Sequence, residues 1–173
     1  MENLQQITGE TSTGTDNGGK FLSFFLKDEE YGIEILKVRE IIGMLPITRV
    51  PRTPEHVKGV INLRGKIIPV TDLRSKFGME EMEQTAENCT IVVKTGGMEI
   101  GVIVDKVSEV VDIADSDVEP IPSFGADVNT KYLLGIGNTN GRVRLLLDID
   151  FVMGEEDMSA LKKLGENSAA AEA

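Results

Sequence analysis

Gly59-Val60-Ile61-Asn62-Leu63-Arg64-Gly65-Lys66-Ile67-Ile68-Pro69-Val70-Thr71-Asp72-Leu73 is answered, without a gap, by Gly135-Ile136-Gly137-Asn138-Thr139-Asn140-Gly141-Arg142-Val143-Arg144-Leu145-Leu146-Leu147-Asp148-Ile149. Gly, Asn, Gly and Asp fall at matched places, 76 residues apart. An earlier pair does the same at an offset of 69: Gly32-Ile33-Glu34-Ile35-Leu36-Lys37-Val38-Arg39-Glu40-Ile41-Ile42 against Gly101-Val102-Ile103-Val104-Asp105-Lys106-Val107-Ser108-Glu109-Val110-Val111. Both matches keep the same order, so the body reads as two related β modules in tandem. A module of about 70 residues buries only about 60% of its unfolded surface. The two are therefore expected to share a core.

Working outward from the repeat, Lys20–Lys27 reads as a buried strand, and Tyr31, Ile33 and Ile35 alternate with Gly32 and Glu34 as in a half-buried one. Leu36–Ile42 reads as a short helical turn before the next strand, and Met44–Pro51 as a short strand. Hairpins are expected around Arg64-Gly65, Gly96-Gly97 and Asn140-Gly141, the last a strong type I′ signal. Asp72–Gly78 reads as an Asp-capped helical turn stopped by glycine, and Asp148 or Asp150 as a second cap. Asp112–Asn129 reads as a long loop, and Met158, Leu161 and Leu164 predict a terminal amphipathic helix. Residues 1–19 and 165–173 read as disordered tails around a folded body at 20–164, with an acidic link near 79–88. Many short strands with turn residues between them indicate small barrels or a sandwich.

Composition removes several functions. Net charge is −11, which opposes a phosphate backbone, and the aromatic content of 5% with no Trp is poor for base stacking. Residues 49–76 hold seven Lys/Arg against Glu55 and Asp72, a local +5 that leaves −16 elsewhere. That segment is either a solvated face or a docking surface for an acidic partner. The lone cysteine, Cys89, suits a reducing compartment, and no cationic, apolar leader or membrane-length apolar run is evident.

Catalytic signatures are thin. His56 is the only histidine, and with Cys89 it could form at best a two-member nucleophile pair across the two modules. Asp115, Asp117 and Glu119 resemble the start of a calcium loop, but Pro120 stands where glycine is needed. No metal site, cofactor or phosphate loop is expected. The copies differ more usefully at the hairpin tip, where Arg64 replaces the Asn140 of the second copy. Arginine is a poor residue for positive φ. Arg64 is either a functional donor, or it sits in a different turn or simply pairs with Glu40. Glu40 in turn is either the rim of an apolar groove or a member of a buried ion pair.

At these residues the chain resembles the CheW family of bacterial chemotaxis coupling proteins. The carrying motifs are Glu30–Ile41, Lys58–Leu73, Gly101–Val107 and Tyr132–Gly135. The resemblance implies an all-β fold with short helices: two intertwined five-stranded SH3-like β barrels and a C-terminal helix. It implies no enzymatic activity and no cofactor. It implies an adaptor between the cytoplasmic tip of methyl-accepting chemoreceptors and the regulatory domain of the histidine kinase CheA. Such a protein is cytoplasmic and recruited to receptor arrays without entering the membrane. By position, the receptor groove would involve Ile35, Val38, Glu40, Ile41, Arg64 and Val110. The kinase contact would involve Leu45, Ile47, Val50, Gly59 and Val60, and a second, ring-forming contact Phe124. Two other readings are a same-fold module detached from a CheV-like or kinase polypeptide, and a small-barrel enzyme or oligonucleotide binder.

Overall fold

A computed structural model describes residues 18–80, 83–121 and 132–153. The predicted terminal helix, both tails and Phe124 lie outside them, apart from Gly18 and Gly19. The strands run in the order β1 (Gly19–Leu26), β2 (Glu29–Glu34), β3 (Val38–Gly43), β4 (Val57–Leu63) and β5 (Lys66–Asp72) in the first half. A one-turn helix, α1 (Leu73–Lys76), follows. The second half holds β6 (Cys89–Thr95), β7 (Met98–Val104), β8 (Lys106–Ile113), β9 (Val118–Glu119), β10 (Leu133–Thr139), β11 (Arg142–Leu147) and α2 (Ile149–Met153). The expected helical turn near Leu36 is a 3-10 turn confined to Ile35–Lys37, and Val38–Gly43 is strand.

The strands form two sheets with orders β8-β1-β2-β11-β10-β9 and β3-β6-β7-β5-β4. Under the offsets of 69 and 76, β1, β2 and β3 correspond to β6, β7 and β8, and β4 and β5 to β10 and β11. Each sheet then has the same plan, but its second and third strands come from the other copy. The first hairpin of each module is exchanged, and parallel pairs β2–β11 and β5–β7 seat it in its host sheet. The two modules are thus intertwined. Their main core is common property, with Leu22, Phe24, Ile33 and Leu73 of the first copy packed with Ile91, Val102, Leu147 and Val152 of the second.

The first sheet has six strands rather than the expected five, and the matched glycines explain the sixth. Thr48 pairs with Val60 of β4 through two hydrogen bonds of 2.8 and 2.9 Å. In the second copy Glu119 of β9 pairs with Ile136 of β10, the counterpart of Val60. β9 is therefore the longer form of the Thr48 bridge. Both bridges lie on a glycine. A Cβ on Gly59 would stand 2.0 Å from the Thr48 carbonyl oxygen, and one on Gly135 2.6 Å from Val118 Cγ1. The ladders β4–β5 and β10–β11 break register at these glycines, between Val57 and Gly59 and between Leu133 and Gly135.

Two ion pairs between the copies hold the exchanged hairpins. Lys66 of β5 binds Glu99 of β7, and at the equivalent place Arg142 of β11 binds Glu30 of β2 at 2.7 Å. Glu30 also accepts from Arg144 Nε at 2.7 Å and from the Ser23 hydroxyl. Glu30 and Arg144 are buried. Burial raises the Glu30 carboxyl, but these donors outweigh it and hold its pKa below the usual 4.5.

Candidate protein-docking surface

β3 and β8 are edge strands at equivalent positions, and each carries a bulge. The β3–β6 register shifts between Val38 and Glu40, and the β1–β8 register shifts across the residues between Val107 and Val110. These bulges hid both strands from an alternation test, because one extra residue breaks the period of two. Each bulge is followed by an exposed aliphatic side chain. Ile41 is 44% exposed on β3, and its counterpart Val110 is 53% exposed on β8. Single exposed aliphatics are ordinary, and Leu36, Val143 and Phe151 are exposed as well; what sets Ile41 and Val110 apart is their equivalent place beside the two bulges.

Arg64 meets the β3 bulge. Its Nη2 lies 2.5 Å from Glu40 Oε2, although β3 and β4 stand at opposite edges of their sheet. The sheet therefore curls until its edges approach. Arg64 does not adopt a different turn: φ is 52° at Arg64 and 84° at Gly65, against 53° at Asn140 and 78° at Gly141. Asn62 Oδ1 braces the turn by accepting from Gly65 N at 2.8 Å. An arginine thus occupies a left-handed position where asparagine is cheaper. Glu40 is half-buried and Arg64 exposed, which makes this a rim pair and not a core pair. On β8 the counterpart Glu109 lies 3.9 Å from Arg144 Nη2.

Of the remaining groove residues, Val38 and Ile35 are half-buried and pack against the main core. The structure thus brings Val38, Glu40, Ile41 and Arg64 together at one edge, with Ile35 just before them on the 3-10 turn. Val110 holds the matching place on the other sheet. Leu45 and Ile47 pack on a smaller cluster of Ile61, Ile68, Val70 and Val92, while Val50 packs on the main core. Gly59 and Val60 are buried beneath the Thr48 bridge, so they present no side-chain surface themselves.

The basic segment does not form one patch. Arg64, Lys66 and Arg74 are paired with Glu40, Glu99 and Asp105, and Lys76 lies 5.8 Å over the Tyr132 ring. Arg49 and Lys58 line a cleft of about 730 Å³ together with Met44, Ile47 and Asp72. Two of its acids, Asp72 and Asp105, have structural work. Asp72 Oδ1 accepts from Arg74 N at 3.0 Å to cap α1, and burial raises its pKa. Asp105 is bound by Arg74. Asp115 and Asp117 sit in a 3-10 turn and Glu119 in β9, so the calcium-like spacing falls on the connection from β8 to β9. Among the described residues, no cluster of three metal-ligating side chains occurs, and no helix is long and apolar enough to cross a membrane.

With the twin sheets and the twin bulges in place, comparison with known proteins gives a clear result. The model of the CheW-like domain matches residues 20–157. The chain belongs to the CheW-like family. The chemotaxis protein CheW of Klebsiella aerogenes is 36% identical over 167 residues, covering 96% of this chain and 98% of that protein. The CheW of Rhizobium meliloti is 34% identical, covering 84% and 94%. The crystal structure of the scaffolding protein TtCheW from Thermoanaerobacter tengcongensis superposes with a TM-score of 0.73 at 35% identity, covering 81% of this chain and 95% of that one. CheW-like proteins are noncatalytic scaffolds of chemotaxis, and the chain has that role.

Proposed function

We propose that the chain couples methyl-accepting chemoreceptors to the histidine kinase CheA, with separate surfaces for each. The observation that carries this reading is the pair of exposed aliphatics, Ile41 and Val110, at equivalent edge positions. The receptor's helical hairpin lies along them, with Val38 and Ile35 as the groove floor and the Glu40–Arg64 pair as a polar rim. The kinase regulatory domain docks on the segment bearing Leu45, Ile47 and Val50. Gly59 and Val60 act from below, by fixing that segment through the Thr48 bridge. Phe124 supplies the second, ring-forming contact. Location at the cytoplasmic face of the membrane follows from the receptor contact alone.

A scaffold that must be remodelled during signalling suits affinities on the order of micromolar, about −8 kcal/mol. Amide-shift mapping of the labelled protein against a receptor hairpin tests the reading. Shifts should concentrate at β3, β8 and the Arg64 turn, and titration with the kinase domain should instead move residues 45–50. Absence of binding to either partner at tens of micromolar would refute it.

A further inference from the structure

The two bulges are fastened differently, although their strands are twins. On β3 two arginines do the fastening. Arg39 Nε lies 3.6 Å from Glu99 Oε2, and Arg64 binds Glu40. On the β8 side the offsets of 69 and 76 put Ser108 in place of Arg39 and Asn140 in place of Arg64. Both glutamates remain, as Glu30 and Glu109.

A single side chain meets both of them. Arg144 Nε lies 2.7 Å from Glu30 Oε2, and its Nη2 lies 3.9 Å from Glu109 Oε1. Its Nη1 donates to the Thr139 hydroxyl at 2.8 Å. The counterpart of Arg144 in the first copy is the buried Ile68. The neighbours have changed with it. Ile68 packs with Val92 and Leu63 in one apolar cluster, and their counterparts are Ser23 and Thr139. These apolar places of the first sheet are polar in the second, where Ser23, Arg144 and Thr139 join one network through Glu30.

Burying an arginine costs more than burying an isoleucine. Glu30 does not by itself account for that cost, because Arg142 already pairs with it as Lys66 pairs with Glu99. Among the described residues, Arg144 is the sole cation paired with Glu109. Its side chain is buried and held on two other sides, so the third contact costs little side-chain entropy, unlike an ordinary surface pair.

We propose that Arg144 is a positioning residue of the β8 edge. From inside the sheet it fastens the bulge that carries Val110, as Arg39 and Arg64 together fasten the bulge that carries Ile41. The assignment rests on the receptor reading of that edge. A braced bulge holds Val110 in one place, and a preorganised anchor binds more tightly than one that must be ordered on docking.

The test uses the full chain, with amide protection read by NMR and a receptor hairpin titrated by calorimetry. Glu109 is 56% exposed, so Glu109→Gln should leave the melting temperature unchanged. It should lower protection of the Val110 and Val111 amides about two- to fivefold, as the loss of one partly exposed pair does, and leave Ile41 and Ile42 as they were. Affinity for the hairpin should fall by a similar factor. In the double variant Arg144→Met with Glu30→Leu, β8 should lose the same protection relative to β3, and adding Glu109→Gln should change nothing further. Adding Asn140→Arg instead should restore it, because Arg64 reaches Glu40 from the equivalent turn. An arginine needed only for packing could not be replaced from there. Unchanged β8 protection in Glu109→Gln would overturn the proposal, and so would failure of Asn140→Arg to restore it. Should the double variant not fold, Glu109→Gln decides alone. Protection needs no partner, so the two readings fail separately: a chain that binds no hairpin sinks the receptor reading, and unchanged protection sinks the role of Arg144.

Discussion

Arg64 Nη2 stands 2.5 Å from Glu40 Oε2, so the tip of the β4–β5 hairpin is fastened to the bulge of β3. The arginine holds this post from a left-handed backbone position. Arg64→Asn, which copies the second module's turn, should leave the melting temperature unchanged or slightly higher. The same variant should weaken receptor binding. A melt that falls by tens of degrees would assign Arg64 to the fold instead.

Ile41 and Val110 are already exposed, so Ile41→Glu and Val110→Glu should alter stability by no more than about 0.5 kcal/mol. Each should weaken receptor binding tenfold or more, because a charge replaces an apolar anchor. Calorimetric titration against a receptor hairpin, beside a thermal melt, separates the two effects. Kinase binding should be spared.

Gly59→Ala should act in the opposite way. A Cβ there meets the Thr48 carbonyl oxygen at 2.0 Å, and φ of 142° strains any L side chain. The expected loss is about 3 kcal/mol, read as a lower denaturation midpoint. Residues 44–50 would lose their seat, and kinase binding should fall more than receptor binding.

Arg144 is 4% exposed and Glu30 8%. Arg144→Met should cost about 3 kcal/mol, because it removes a buried partner of a buried carboxylate. Adding Glu30→Leu should recover part of that loss, since it removes the buried carboxylate that Arg144 served, although Arg142 and the Ser23 hydroxyl then lose their acceptor. Chemical denaturation of the single and double variants checks this, and an equally unstable double would contradict it.

Acid should loosen the exchange. Glu30, Glu99, Asp105 and Asp150 have folded pKa values below their ordinary ones. For Glu99 the Lys66 hydrogen bond dominates; for the others, hydrogen bonds from Arg, Lys, Ser or Thr partners, and for Asp105 also the Lys27 amide, override the upward push of burial. A depressed carboxylate contributes stability above its unfolded pKa and loses it as pH falls through the folded value. Stability should therefore drop below about pH 4. Glu34 and Asp72, raised by burial, act in the opposite sense and soften the onset. A flat stability profile between pH 5 and about pH 2.5 would contradict this.

The duplication, its hairpins and the Asp72 cap were legible from residue patterns because turns and caps are local. The matched glycines were visible, but not their purpose, which depends on a chain segment 11 residues away at Thr48. The exchange itself was not readable from the repeat. A repeat shows which strands exist, and the partners of Gly32 and Gly101 are decided by contacts between copies. The same holds for Glu30, whose cations lie 112 and 114 residues along the chain. Of the structural alternatives for Arg64, a different turn is excluded and a Glu40 pair is present, while its part in receptor binding belongs to the proposal.

The borrowed hairpins set a schedule for synthesis. β1 and β2 leave the ribosome first, yet their parallel host β11 ends only at Leu147. Until then the edge of β2 that faces Leu145–Leu147 stays unpaired, although Leu22, Phe24 and Leu26 share their core with Leu73, Ile91 and Val102, which are made earlier. Such non-local pairing is slow, so the sheet that receives the first hairpin is completed late.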